Sequence, residues 1–269
     1  MRRRDVRGRH LRGRHLGGTH VGGTHAGVPL LVFLLLAVWG WVRLALRAFP
    51  MPVFSPVTSS GPPVFDAASE SIISTAANTS TNAHTCTGAN RVLEVAVAIR
   101  QSVSGQTVSG ISYNGVALTL VDAATIAGEL RAELWRLIAP ATGAHNIVVT
   151  LDNTAKFVVH GCSYTGVNQT TPHGTPAKAT GTSTTASVDA TSAAGELVVD
   201  SVASVGTGGT LTVGADQTQR GNGVTTGGTN PSNVNGGISE QAGAASVTMS
   251  WGVAVSNEWA IVGVALKPA

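Results

Sequence analysis

Apolar and polar residues alternate with period two in several stretches of this chain, the pattern of strands with one buried face. In Val92–Ile99, Leu93, Val95, Val97 and Ile99 share a face. Ile147, Val149 and Leu151 do so in Asn146–Asp152, and Ala245, Val247, Met249 and Trp251 in Ala245–Trp251. Further strands are predicted over Val108–Tyr113, Val116–Val121, Leu130–Ile138, Lys156–Tyr164, Thr185–Ala190, Glu196–Ala203, Thr210–Val213 and Asn257–Leu266. Turn signals separate them: Asn114-Gly115, Thr142-Gly143 and Ala194-Gly195. The strongest is Asn114-Gly115, which suits the positive φ values of a type I′ hairpin turn. No helical period of comparable quality follows residue 50; Asp122–Leu137 is interrupted by Thr125, Gly128 and Trp135. The expected fold is all-β: an antiparallel β-sandwich, jelly-roll-like. Two successive smaller sandwiches, split near Pro172–Thr184, are the alternative. Gly221–Gly243 is nearly all small and polar, and is expected to be a surface loop that adds little core.

The chain changes character near residue 50. Residues 1–50 carry nine Arg against one Asp, a charge of +8, whereas residues 51–269 carry eight Lys or Arg against thirteen Asp or Glu, a charge of −5. The basic pI of about 9.2 therefore belongs to the N-terminal part. Basic residues in the body are scattered, which argues against a nucleic-acid partner. Four segments follow: a disordered basic Arg/Gly/His repeat over 1–25, an apolar helix over 26–49, a Pro-rich linker over 50–64 and the β-sandwich over 65–269. Charged residues make up 12% of the chain, against roughly 25% in ordinary domains, and Thr, Ser, Asn and Gly supply the polar surface instead.

Ala26–Val42 is an uncharged run of seventeen residues with Trp39 and Trp41 near its end. Its length sits at the lower edge of the roughly 17–25 residues needed to span a bilayer. Three readings are open. As a signal-anchor it tethers the body outside with the N-terminus in the cytoplasm, because seven Arg precede it. As a signal peptide it lacks a clean small-residue cleavage site. The third reading starts the protein at Met51 and makes residues 1–50 a non-native upstream extension. A membrane partner is expected only if residues 26–49 are native.

Candidate chemistry is sparse. His84-x-Cys86 and His160-x-Cys162 each place two side chains on one strand face, so neighbouring strands would bring two His and two Cys together as a weak metal set. Cys86 and Cys162 are also the two cysteines a single disulfide could join. Independent buried residues are the third option. Arg131, Glu133 and Trp135 share a strand face and form the candidate ligand-binding group, since a partly exposed Trp beside charges stacks on sugars or partners. A sheet-packing Trp135 is the plainer alternative, and Trp251 and Trp259 are expected to be structural. No catalytic residues and no cofactor are expected: G-x-S-x-G and phosphate-binding glycine motifs are absent from the sequence.

Several phrases occur together: Phe65-Asp66-Ala67-Ala68-Ser69, His84-Thr85-Cys86-Thr87-Gly88, Tyr113-Asn114-Gly115-Val116-Ala117-Leu118-Thr119, Glu133-Leu134-Trp135, Ala139-Pro140-Ala141-Thr142-Gly143, Ser163-Tyr164-Thr165-Gly166-Val167 and Trp259-Ala260. In these the chain resembles a group of uncharacterised β-sandwich proteins from tailed phages and environmental bacteria, over roughly residues 64–268. The resemblance implies a virion-associated or cell-surface domain and transfers no catalytic residue. The expected function is a non-catalytic structural or adhesive β-sandwich of a phage virion or bacterial surface. A lectin-like carbohydrate-binding module, with Trp135 and Gly221–Gly243 as contacts, is the alternative. Expected partners are other virion or surface proteins, glycans and further copies of the chain.

Overall fold

The computed structural model describes residues 61–206, 209–228 and 232–269. The basic repeat over 1–25, the apolar helix over 26–49 and most of the 50–64 linker lie outside the described residues. Thirteen strands are present among those described: β1 Val64–Cys86, β2 Val92–Arg100, β3 Val108–Tyr113, β4 Val116–Ala117, β5 Thr119–Ile126, β6 Leu130–Ile138, β7 Gly143–Thr165, β8 Ala177–Thr191, β9 Leu197–Val205, β10 Thr212–Val213, β11 Thr218–Val224, β12 Val234–Ala242 and β13 Ser246–Leu266. All their pairings are antiparallel. The β3–β4 turn forms at Asn114-Gly115, with φ of 49° and 75°.

The strands form two sheets, β4-β3-β7-β2-β6-β5 with β1 added on β7, and β10-β13-β9-β12-β11 with β8 added on β13. Each sheet is built from one contiguous half of the chain. A jelly roll would pass strands back and forth between its sheets, so the expected strand order is not the one found. The halves meet near Pro172, where the sequence suggested a split, yet they are not separate sandwiches. Val92, Ala98, Leu134, Val158 and Tyr164 from the first half share one apolar core with Val199, Ala203, Ile238, Val262 and Leu266 from the second.

The two halves are copies of one topology. Apart from β4, β1-β2-β3-β5-β6-β7 corresponds in order and pairing to β8-β9-β10-β11-β12-β13. Val92 pairs with Tyr164 and Ile138, and Leu197 pairs with Leu266 and Ala242. Aligning these registers places Phe157 on Trp259, Val149 on Trp251 and Gly161 on Gly263. The stacking between sheets is also reciprocal: β2 lies against β9, β2 on β12 as β6 on β9, β7 on β12 as β13 on β6, and β1 on β11 as β8 on β5. These pairs exchange under a pseudo-twofold rotation, the arrangement of an isologous dimer joined into one chain.

Strand length forces a second structural feature. β1 and β7 have 23 residues each, about 75 Å if straight, while a domain of this size is about 45 Å across. The β1–β7 ribbon bends where its register shifts, between Ile73 and Ala77 and between Ala77 and Thr79. Its first half folds back over its second, and Ile147, Val149 and Leu151 pack with Phe157, Val159, Leu93, Val95, Val97 and Ile99. A Cβ on Gly161 would collide with Ile147 Cδ1 and stand 2.9 Å from Ser69 Oγ, so glycine is what permits the closure. The β8–β13 ribbon bends likewise between Gly252 and Asn257, packing Val247, Met249 and Trp251 on Val202 and Ile261. A Cβ on Gly263 would meet Val188 at 3.1 Å. Consequently β2, expected to be half-buried, is covered on both faces along Val92–Ile99.

Gly221–Gly243 corrects the expectation of a surface loop. Most of it is β11 and β12, and Val234 and Ile238 sit in the central core. Its glycines admit bulky neighbours: a Cβ on Gly236 would stand 2.8 Å from Ala98, and one on Gly237 would stand 2.9 Å from Trp251.

Candidate functional site

β6 carries Arg131, Glu133 and Trp135 on the side facing the folded-back layer, and they do come together. Glu133 is 1% exposed. It accepts a hydrogen bond from Arg131 Nε, one from Trp135 Nε1 at 2.6 Å and one from the Val108 backbone N–H at 3.1 Å. The carboxylate thus anchors β3 to β6, and the indole N–H is committed inward. Trp135 packs, partly buried, against the Leu93–Phe157 cluster. Its cross-strand neighbour Leu120 is among the exposed large apolar residues.

The His–Cys pairs do not converge. β1 and β7 are neighbours, but the register sets His84 opposite His145, Cys86 opposite Gly143, Glu70 opposite His160 and Ala68 opposite Cys162. Cys86 belongs to the lateral cluster and Cys162 to the central core, on opposite faces of the sheet. The disulfide weighed from the sequence is therefore not formed, and both thiols are free and buried. Burial pushes both thiols above their ordinary pKa, which disfavours the reactive thiolate. Among the described residues no group of three or more His, Cys, Asp or Glu could hold a metal ion.

Both histidines serve packing. His84 Nδ1 lies 2.9 Å from Ser69 Oγ, and Asn82 Nδ2 donates to the same oxygen at 3.1 Å, tying together the folded halves of β1. Burial lowers the His84 pKa to about 4 against the opposing pull of Asp66. His160 Nε2 lies 3.1 Å from the Gly236 carbonyl oxygen across the central core, and burial lowers its pKa to about 4 as well. Asp66 itself is drawn below the usual carboxylate range: burial opposes ionisation, but hydrogen bonds from Thr87 and Ser163 outweigh it. In the second half, fully buried Asp200 accepts from Trp251 Nε1 at 2.7 Å and from the Ser239 N–H at 2.7 Å. Burial still raises its pKa to about 7.

The bend of the β1–β7 ribbon opens a cleft of about 310 Å³, lined by Ala76, Arg100, Gln101, Ser102, Ala155, Lys156 and Ser232. Arg100 and Lys156 stand directly opposite each other on β2 and β7. Arg100 pairs with Glu129 at 2.5 Å. Lys156 Nζ donates to the Thr226 carbonyl at 3.0 Å, to the Gly227 carbonyl and to Asn233 Oδ1 at 2.8 Å. It thereby ties Thr226 and Gly227, just past β11, and Asn233, just before β12, to the edge of the cleft. The sequence reading missed this site. Arg100 and Lys156 each end an apolar run, a visible signal, but they are far apart in sequence and only the β2–β7 register joins them.

Comparison with protein-family models, with curated proteins and with solved structures found no match to this chain.

Proposed function

We propose that this protein is a non-catalytic structural or adhesive β-sandwich of a phage virion or bacterial surface, assembling with other surface proteins or with further copies of itself. The observation that supports this reading is how two buried carboxylates, Glu133 and Asp200, and the partly buried Asp66 are used. Glu133, Asp200 and Asp66 each accept several internal hydrogen bonds that join one strand to another. Groups so engaged stiffen a scaffold rather than face a reacting atom. The test is location. Purified virions or surface fractions, probed by mass spectrometry, should contain the full-length chain, and adjacent genes should encode capsid, portal or tail proteins. Absence from both fractions together with metabolic gene neighbours would overturn the reading.

A second reading, a carbohydrate-binding module, is supported by the partly exposed Trp135 beside the exposed Leu120. A glycan array probed with the full-length protein tests it, and silence across neutral and acidic glycans would remove it.

A further inference from the structure

We propose that β8 is a self-association edge, pairing antiparallel with β8 of a second copy about a twofold axis at its bend. The inference deepens the self-assembly named above and supplies its contact. Among the described residues β8 pairs with β13 alone. Its other edge therefore presents backbone N–H and C=O groups, a template for a further strand. Proline, a common guard against such pairing, is absent from Ala177–Thr191, and the two charges there, Lys178 and Asp189, are of opposite sign.

The bend restricts the register. Before it, Ala177 and Ala179 pack toward the inside of the folded ribbon, and a Cβ on Gly181 would overlap the Trp259 ring. After it, Ala186, Val188 and Ala190 face inside. The inward set thus changes from odd to even positions at Ser183–Thr184. Lys178, Thr180 and Thr182 are exposed before the bend, and Thr185 and Asp189 after it, with Ser187 partly so. Residues opposite each other on antiparallel strands share a face, so a second β8 must pair odd positions with even ones. One such register sets Ser183 opposite the partner's Thr184. It places Ala177 opposite the partner's Ala190 and Ala179 opposite the partner's Val188, which carries the apolar cluster inside one ribbon on into the other. It also places Lys178 opposite the partner's Asp189 and, by symmetry, Asp189 opposite the partner's Lys178. The two charges of the strand become two reciprocal ion pairs. Lys178 donates to Asp122 at 2.8 Å and is 54% exposed, leaving ammonium donors for the second contact. Asp189 accepts from Thr248 on one oxygen and keeps the other. At the bend the Thr185 N–H and C=O meet Ser183 Oγ, so the new ladder runs in two stretches, one on each side.

The other edges lack this self-complementarity. β1 carries the carboxylates Asp66 and Glu70 and no Lys or Arg, β5 carries Asp122 alone, and β11 carries Arg220, already paired with Glu240. β4 and β10 are two residues long. An isologous β8 contact closes on itself and covers the edge in both copies, so it gives a dimer and not a filament.

Sedimentation velocity of the full-length protein over a wide concentration range should show a reversible equilibrium between the 27.2 kDa chain and its dimer. Asp189→Lys and Lys178→Glu each set like charges opposite each other at both ends of the ladder, and each should weaken the dimer about tenfold. The double variant restores opposite charges and should return the affinity toward that of the wild type. Circular dichroism would confirm that all three variants are folded. A monomer at every concentration would overturn the proposal, as would a dimer that neither single change weakens or that the double change does not restore. A monomeric protein still found in virion or surface fractions would remove this contact and leave the surface-domain reading standing.

Discussion

Acidification should destabilise this fold through His84 and His160, and His160 offers the cleaner measurement. Its folded-state pKa is lowered from 6.5 to about 4. The unfolded chain therefore binds a proton between those values that the native state refuses. A depressed histidine contributes stability that is fully present above pH 6.5 and is lost as pH falls toward 4. At about 1.4 kcal/mol per pKa unit, His160 accounts for about 3 kcal/mol over that window, and His84, also lowered to about 4, for a similar amount. Asp200 acts in the opposite sense. Its pKa rises from 3.8 to about 7, so protonation favours the folded state and returns about 4 kcal/mol as pH falls across that range. The three together give a net loss on acidification. The contribution of His160 is isolated by comparing wild type with His160→Gln in urea denaturation at pH 7, 5.5 and 4. The variant loses packing at every pH, but its stability should fall by about 3 kcal/mol less between pH 7 and 4. Parallel pH profiles for the two proteins would refute the claim that His160 is held neutral by burial.

Gly161→Ala should destabilise by about 1–3 kcal/mol, because the new methyl overlaps Ile147; an unchanged urea midpoint would show that the ribbon does not close there. Asp200→Ala leaves Trp251 Nε1 and the Ser239 N–H without their acceptor in a fully buried site, costing about 2–4 kcal/mol, and a thermal melt unchanged within a degree would contradict this. With both thiols free and buried, a chromogenic thiol reagent should react slowly with the native protein and titrate two thiols after denaturation without reductant; fewer than two would indicate a bridge. Cleavage at the exposed Thr170–Thr171 segment between the halves should leave the fragments associated through their common core, with co-elution in size-exclusion chromatography as the check and separate elution as the refutation.

The limits of the sequence reading follow from particular residues. β3 and β6 run over the predicted spans, Val108–Tyr113 and Leu130–Ile138: β6 alternates, and β3, whose alternation is broken by a register shift between Val108 and Gly110, is bounded by the Asn114-Gly115 turn. β7 and β13 were each expected as two strands; the alternation breaks at the bends, near Asn153 and Val253, where the chain stays in one ribbon. β1 carries no apolar alternation to read. Ser80 donates to Ser71 at 2.8 Å, and Asn82 and His84 meet Ser69, so its folded halves are joined by hydrogen bonds between polar side chains. β11 and β12 were hidden by glycines, whose value lies in the neighbours they admit. At the site, parity alone placed Arg131, Glu133 and Trp135 together, but their inward hydrogen bonding required β3 to be seen beside β6.

Alternation with period two is a local property, and it determined that the body is all-β, which residues of a run share a face, and where the sharpest turn lies. Pairing is not local. Two residues opposite each other on β2 and β7 are brought together by registers spread over the whole first half, and a shift of one residue would reverse every face. The folding back of each ribbon depends on contacts such as Gly161 against Ile147, which a linear pattern does not encode. The tertiary structure therefore decided the duplication, the pseudo-twofold stacking, the separation of Cys86 from Cys162 and the meeting of Arg100 with Lys156, because each is fixed by steric fit between segments distant along the chain.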